Sequence, residues 1–191
     1  MFRRLMAVLA AFFIGFFGFG GGKAAAAADP ENTIVMEIAD HDGKPKGKVV
    51  IEMRPDLAPN HVKRIKELVK AGFYNGVPFH RVIEGFMAQT GDPTGTGTGG
   101  SGKKLKAEFS SEPHVRGTVS MARASDPDSA DSQFFICFAP SHFLDGQYTV
   151  WGKVTEGMDN VDKIKRGAEG SGQVTNPDKI ISMKMLVGVG K

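Results

Sequence analysis

Four sets of residues in this chain have types and spacings that could do chemistry. The first is "GDPTGTGTGG", Gly91 to Gly100, in which five of ten residues are glycine. Gly95, Gly97 and Gly100 have the G-x-G-x-x-G spacing of a turn that cradles a dinucleotide pyrophosphate. That use also needs a preceding strand, a helix opened by the glycines and an acidic residue about twenty positions further on. Here "SGKKLKAEFSSEP" follows, which has no amphipathic helical pattern, so a phosphate cradle is not expected. Bare backbone also suits a surface loop, or a place where a ligand chain passes close by. The second set is Ser120, His80 and Asp92, the residue types of a hydrolytic triad, but no nucleophile-elbow pattern surrounds the serine. The third is the five histidines (41, 61, 80, 114 and 142) and the single cysteine. The histidines lack metal-ligand spacing. Cys137 excludes an intrachain disulfide and, inside "FFICF", reads as a buried, inert thiol. The fourth is Arg81 in "PFHRVIEGFMAQTGD", a planar, permanently charged group rich in donors. Glu84 or Asp92 could pair with it, and neighbouring His80 reads as structural.

These groups must be positioned by short elements. "NTIVMEIAD" and "GKVVIEMRP" alternate, with Ile34, Met36, Ile38, Val49, Ile51 and Met53 on inward faces. The turn "HDGKPKG" between them makes an antiparallel hairpin. In "APNHVKRIKELVKAGFYNG", Val62, Ile65, Leu68 and Val69 share a helical face, Pro59 suits the first turn and Gly72 the end. The lysines of this segment read as a solvated face. Strand patterns return over Val77 to Gly91, bent at Gly85, then in "GTVSMAR", "QFFICF", "YTVWGKV" and "KIISMKMLVGV". "EGMDNVDKIKRG" reads as a short helix with Met158, Val161 and Ile164 inward and Gly167 at its end. About eight strands and two helices without regular alternation argue against a doubly wound sheet. The expected fold is mainly β: a closed antiparallel eight-stranded β-barrel capped by two α-helices.

The 191 residues carry a formal charge of +3. Three of the 24 basic residues precede Asp29, the first acidic one, which leaves 21 basic against 21 acidic in the rest. Nucleic-acid binding loses its electrostatic argument. Residues 1–28 read as a secretory signal: basic "MFRR", an apolar run from Leu5 to Gly22, then Ala26-Ala27-Ala28 before Asp29. The apolar run is close to the shortest that spans a bilayer, so membrane attachment is expected only if the signal is uncleaved. Residues 29–191 would form one domain, periplasmic after export.

Four motifs carry a resemblance to a known family. Phe79-His80-Arg81 through Gly85-Phe86-Met87-x-Gln89-x-Gly91-Asp92 resembles the main motif of the cyclophilins, the prolyl cis–trans isomerases. Ser132-Gln133-Phe134-Phe135-Ile136 resembles their second motif, and Phe143-Leu144-Asp145-Gly146 their third. "WGKVTEGMDNV" is similar to the family's closing region. The resemblance covers nearly all of Asn32 to Val187. It implies isomerase activity without cofactor or metal, with Arg81, Gln89 and Phe86 catalytic. Arg81 would donate toward the prolyl nitrogen and Gln89 would orient it. Phe86, Met87, Phe135 and Leu144 would line a proline pocket. Ala122, Arg123, Gln133, Phe143, Tyr148 and Gly97 would contact the rest of the peptide, "GTGG" bordering its groove. Arg123 stands where many relatives have asparagine, Tyr148 where many have histidine. Phe143 replaces the tryptophan of cyclosporin-sensitive members, which implies weak cyclosporin binding. The expected partners are proline-containing unfolded polypeptides, met by a monomer.

The residue types suit that chemistry. X–Pro bonds isomerise over tens of seconds because amide resonance must be lost. Twisting returns a lone pair to the prolyl nitrogen, so a donor aimed there binds the transition state better than the ground state. No proton moves, which leaves His80 without an acid–base task. A proline-peptide binding module or chaperone on the same fold is the alternative, and a nucleotide-binding protein the third reading.

Overall fold

The computed structural model describes residues 29–187. The expected signal, residues 1–28, lies outside them. β1 (Thr33–Ala39) and β2 (Pro45–Met53) form the anticipated hairpin. Ile34, Met36, Ile38, Val49 and Ile51 are fully buried, as period-two alternation requires when one face meets a core. At the turn, Asp40 Oδ1 accepts from the backbone N–H groups of Asp42 and Lys44. Helix α1 (Pro59–Lys70) buries Val62, Ile65, Leu68 and Val69, together with His61. Its own residues provide no N-terminal side-chain cap. Glu108 does so from a distant loop, accepting from the Asn60 and His61 N–H groups at 3.1 and 3.0 Å. A carboxylate there also meets the positive end of the helix dipole.

Six further strands follow: β3 (Arg81–Ile83), β4 (Met87–Thr90), β5 (Thr118–Met121), β6 (Phe134–Cys137), β7 (Val150–Glu156) and β8 (Lys179–Met185). All pairings are antiparallel, and the spatial order is β3-β4-β6-β5-β7-β2-β1-β8. The sheet curls around a core that contains Trp151, Phe134, Tyr74 and Phe79. Among the described residues, no helix is long and apolar enough to cross a membrane.

Two expectations need correcting. The barrel is not closed by a continuous ladder. The two edge strands are not paired with each other: Pro78, ahead of β3, bridges to Lys179 of β8, and Arg81 of β3 bridges to Gln173, ahead of β8, with backbone bonds such as Phe79 N–H to Asp178 O. Pro78 has no N–H to contribute, so a regular ladder cannot run along this seam. The second helix, α2 (Met158–Asp162), is shorter than its pattern suggested. Val161 and Ile164 are buried as expected. Beyond the helix, however, Lys165 N–H binds the Asp178 carboxylate at 2.7 Å, and Gly167 N–H reaches Val82 O. Gly167 passes so close to Gly172 that any side chain would overlap its carbonyl. Tertiary bonds at the seam outweigh continuation of the helix.

Candidate functional site

The continuous apolar run of β6 has a simple cause: both of its faces are covered. Phe134 and Ile136 enter the main core, while Phe135 and Cys137 belong to a second cluster with Met87 and Leu144 on the opposite face. Register aligns the outer side chains in rows. Arg81 of β3 is opposite Gln89 of β4, Gln89 is opposite Phe135 of β6, and Phe135 is opposite Ser120 of β5. One row thus brings a cation, an amide and an aromatic ring side by side.

A cavity of about 260 Å³ opens above this row. Its apolar wall is Phe86, Met87, Phe135 and Leu144, with the exposed Phe143 at the rim, tilted on Phe86 with ring centroids 5.3 Å apart. Arg81, Gln89, Ala122, Arg123 and Tyr148 complete it. Ten of the twelve residues singled out from the sequence line this one space. The other two, Gly97 and Gln133, line an adjoining cavity of about 320 Å³ that shares Gln89, Ala122 and Arg123 with the first.

A chain of amides holds Arg81. Its Nη1 donates to Gln89 Oε1 at 3.4 Å, Gln89 Nε2 donates to Gln133 Oε1 at 2.9 Å, and Gln133 Nε2 donates to the carbonyls of Gly97 and Gly99. The direction is self-consistent, because each amide offers its oxygen to one side and its NH₂ to the other. Arg81 Nε donates to Ser171 O at 3.1 Å. Neither suggested ion-pair mate binds it: Glu84 pairs with Arg166, and Asp92 is engaged within its own loop. Among the described residues Arg81 has no carboxylate partner. Two of its five N–H groups are used and the rest stay uncommitted. Arg123 lies 4.6 Å over the Tyr148 ring, and Tyr148 meets Phe135 edge-on.

The glycine loop and the residues after it do cradle anions, but these are protein carboxylates, Asp92 within the loop and Asp131 from a later segment. Asp92, fully buried, accepts from the N–H groups of Thr94, Gly97 and Gly99 and from Thr94 Oγ1. Asp131 accepts from Ser101 N–H and Gly102 N–H. A Cβ on Gly99 would collide with the Asp92 carboxylate, and one on Gly100 with Asp131. The N–H groups that a pyrophosphate would need are therefore already spent.

Burial alone would raise the Asp92 pKa, but these hydrogen bonds outweigh it and hold the carboxyl at about 2, against an ordinary 3.8. A depressed folded-state value means the ionised form stabilises the fold. The contribution is complete above the ordinary value and is lost as pH falls from there toward 2. It amounts to about 2 kcal/mol. Asp92→Asn is expected to lose about that much in urea unfolding at pH 7, with the deficit shrinking near pH 3. A deficit independent of pH would contradict this origin.

His80 is buried against the same loop, and burial pulls its pKa down. Ser120 does sit in a Ser–His–Asp chain, with other partners than the sequence suggested. Its Oγ is 3.0 Å from His114 Nε2, and His114 Nδ1 is 3.0 Å from Asp145 Oδ1. Ser120 is fully buried and also hydrogen-bonds Thr149 O, so no substrate can reach it. The chain is a support instead. His114 stacks on Phe135 at 6.1 Å, and Asp145 also receives the His114 N–H and His142 Nδ1. It thereby anchors the turn that carries Phe143 and Leu144. Cys137 is buried, and its pKa is pushed up to about 12 by burial and then by Asp145.

Sequence reasoning missed His114, Asp145 and the strut role of Gln133. His114 and Asp145 are 31 positions apart and share no local pattern. The Ser171 contact to Arg81, 90 positions away, had no signal either.

Comparison with known proteins adds a family. The cyclophilin type peptidyl-prolyl cis-trans isomerase family matches residues 33–185. A protein of Brucella suis, called a probable peptidyl-prolyl cis-trans isomerase, is 57% identical over 175 residues, covering 85% of this chain and 86% of that one. A Helicobacter pylori peptidyl-prolyl cis-trans isomerase is 50% identical over 126 residues, covering 64% of this chain and 77% of its own. Among solved structures, a cyclophilin from Hirschia baltica superposes with a TM-score of 0.72 at 31% identity, covering 83% of this chain and 75% of that one. A Cryptosporidium parvum cyclophilin type isomerase, crystallised in the presence of the dipeptide Ala-Pro, gives 0.73 at 28% identity, covering 82% and 99%.

Proposed function

Because the chain belongs to the cyclophilin-type peptidyl-prolyl cis-trans isomerases, we propose that it accelerates X–Pro isomerisation through Arg81, in exported polypeptides that are still folding. The observation that carries this reading is a guanidinium without a carboxylate partner among the described residues, at the edge of an apolar cavity. The pyrrolidine ring fits against Phe86, Met87, Phe135 and Leu144. A proline seated there would displace water from beside Arg81, so the charge would be poorly screened and act strongly. As the amide twists, the prolyl nitrogen becomes a better acceptor and the hydrogen bond from Arg81 strengthens with it. Gln89, itself braced by Gln133, keeps the guanidinium from swinging away, and no proton changes place.

Exchange NMR on a proline peptide tests the activity. Substoichiometric protein should bring cis–trans exchange from tens of seconds into the sub-second range. Binding without faster exchange would favour the peptide-binding module. Export is supported by the basic, apolar, small-residue order of residues 1–28. Mass spectrometry of the protein from the periplasmic fraction of its bacterium is expected to find Asp29 at the N-terminus. An intact Met1 in the membrane fraction would point to an uncleaved anchor. We take the mature protein to act as a monomer on unfolded or partly folded chains.

A further inference from the structure

The proline cavity does not end at Arg123. The adjoining cavity shares Gln89, Ala122 and Arg123 with it, and its far side is Lys104. Lys104 also lines a third depression, of about 390 Å³, between α1 and the segment 103–108. Three neighbouring concavities are therefore linked by shared lining residues, and cations line the second and third. Lys63, Lys103, Lys104 and Lys106 are exposed along the last section.

Six cations line these two cavities against three carboxylates, with a fourth, Asp128, at the edge, where it accepts from Ala107 N–H. Asp131 is buried and bound by two backbone N–H groups and Ser101 Oγ, with Lys104 at 3.9 Å. Glu67 pairs with Arg64, and Glu108 is held by His61 and Asn60 at the start of α1. Arg123 spends four hydrogen bonds on the carbonyls of Gln147, Ala124 and Ser125, none of which neutralises it. Among the described residues Lys63, Lys103 and Lys106 take part in no ion pair. Since residues 29–191 are formally neutral overall, this is a local concentration of charge leading away from the site.

We propose that this track selects substrates: X–Pro bonds flanked, on one side, by an acidic stretch of the same polypeptide. The inference rests on the isomerase reading above. An extended peptide with its proline in the apolar cavity would lay its next residues past Arg123 and Lys104 toward Lys63, Lys103 and Lys106, where its carboxylates meet cations that have no ion-pair partner among the described residues. Surface charges of this kind contribute modestly one by one and are screened by salt. A few acting together should lower KM about three- to tenfold at low ionic strength, with kcat unchanged.

The test uses exchange NMR on the full protein with a neutral proline peptide and with peptides carrying Asp-Glu pairs at stepwise distances on either side of the proline. The expected result is a lower KM for acidic peptides of one polarity only, abolished at about 1 M salt, where the screening length is only about 3 Å. The charge-reversed variant Lys63→Glu/Lys103→Glu/Lys106→Glu, which leaves the proline cavity untouched, should remove that advantage and keep wild-type rates on the neutral peptide. An advantage that survives charge reversal, or equal KM for all peptides, overturns the proposal. Failure of the wild type to isomerise even the neutral peptide would instead overturn the isomerase reading.

Discussion

Arg81→Ala is expected to lower kcat/KM by about a hundredfold or more, the usual scale for removing a preorganised donor from a transition state. The fall should be mostly in kcat, because the lost bond is strongest when the prolyl nitrogen has its lone pair back. The fold should survive. Arg81 is half-buried at the start of a three-residue strand, and its side chain makes two hydrogen bonds, to Gln89 and Ser171. Each is worth about 1 kcal/mol. Thermal melting should therefore show a small shift beside a large kinetic loss. Arg81→Lys retains charge but not the planar fork, so it cannot hold Gln89 and Ser171 while presenting further donors to the substrate. It should recover little of the activity. A variant as active as wild type on a proline peptide would refute the role given to Arg81.

The second large effect is on stability, and it lies one residue from the site. Phe134 is fully buried, with its ring edge-on to Tyr74 at 5.5 Å and to Trp151 at 5.4 Å. Phe134→Ala is expected to cost about 3–5 kcal/mol through lost burial and the cavity left behind. In a domain of this size that lowers the melting temperature by about 10 °C. Phe135, next in sequence, points to the other face and belongs to a cluster of four buried residues that floors the proline cavity. Phe135→Ala should lose less stability and most of the activity. Urea unfolding and exchange NMR on both variants, at a temperature where both are folded, read the contrast. Equal destabilisation by the two, or full activity in Phe135→Ala, would show that β6 does not divide its labour this way.

That division also marks what could be read from the chain. Alternation placed the β1–β2 hairpin, and helical periodicity placed α1, because each buries one face against a single core. For β6 the run of apolar residues announced a buried strand but hid its two destinations. Only the pairing register tells that Phe135 joins Arg81 and Gln89. The residues that line the cavity stood out as motifs because most of them sit within short contiguous stretches. Their supports were not. Gln133 bracing Gln89, Ser171 holding Arg81, and His114 with Asp145 beneath the Phe143 turn all join residues distant in sequence. The seam at Pro78 and the early end of α2 were missed for the same reason: long-range backbone bonds there override local preference.

Composition marks Gly91 to Gly100 as the most pliable part of the chain, yet buried carboxylates tie it down at Asp92 and, just beyond, at Asp131. Opening it would strand two desolvated anions without their donors. The wall it contributes, at Gly97 and Gly99, is therefore a fixed edge and not a lid. Along this edge the entropy of ordering was settled when the chain folded, so an arriving peptide need not order the loop in order to bind.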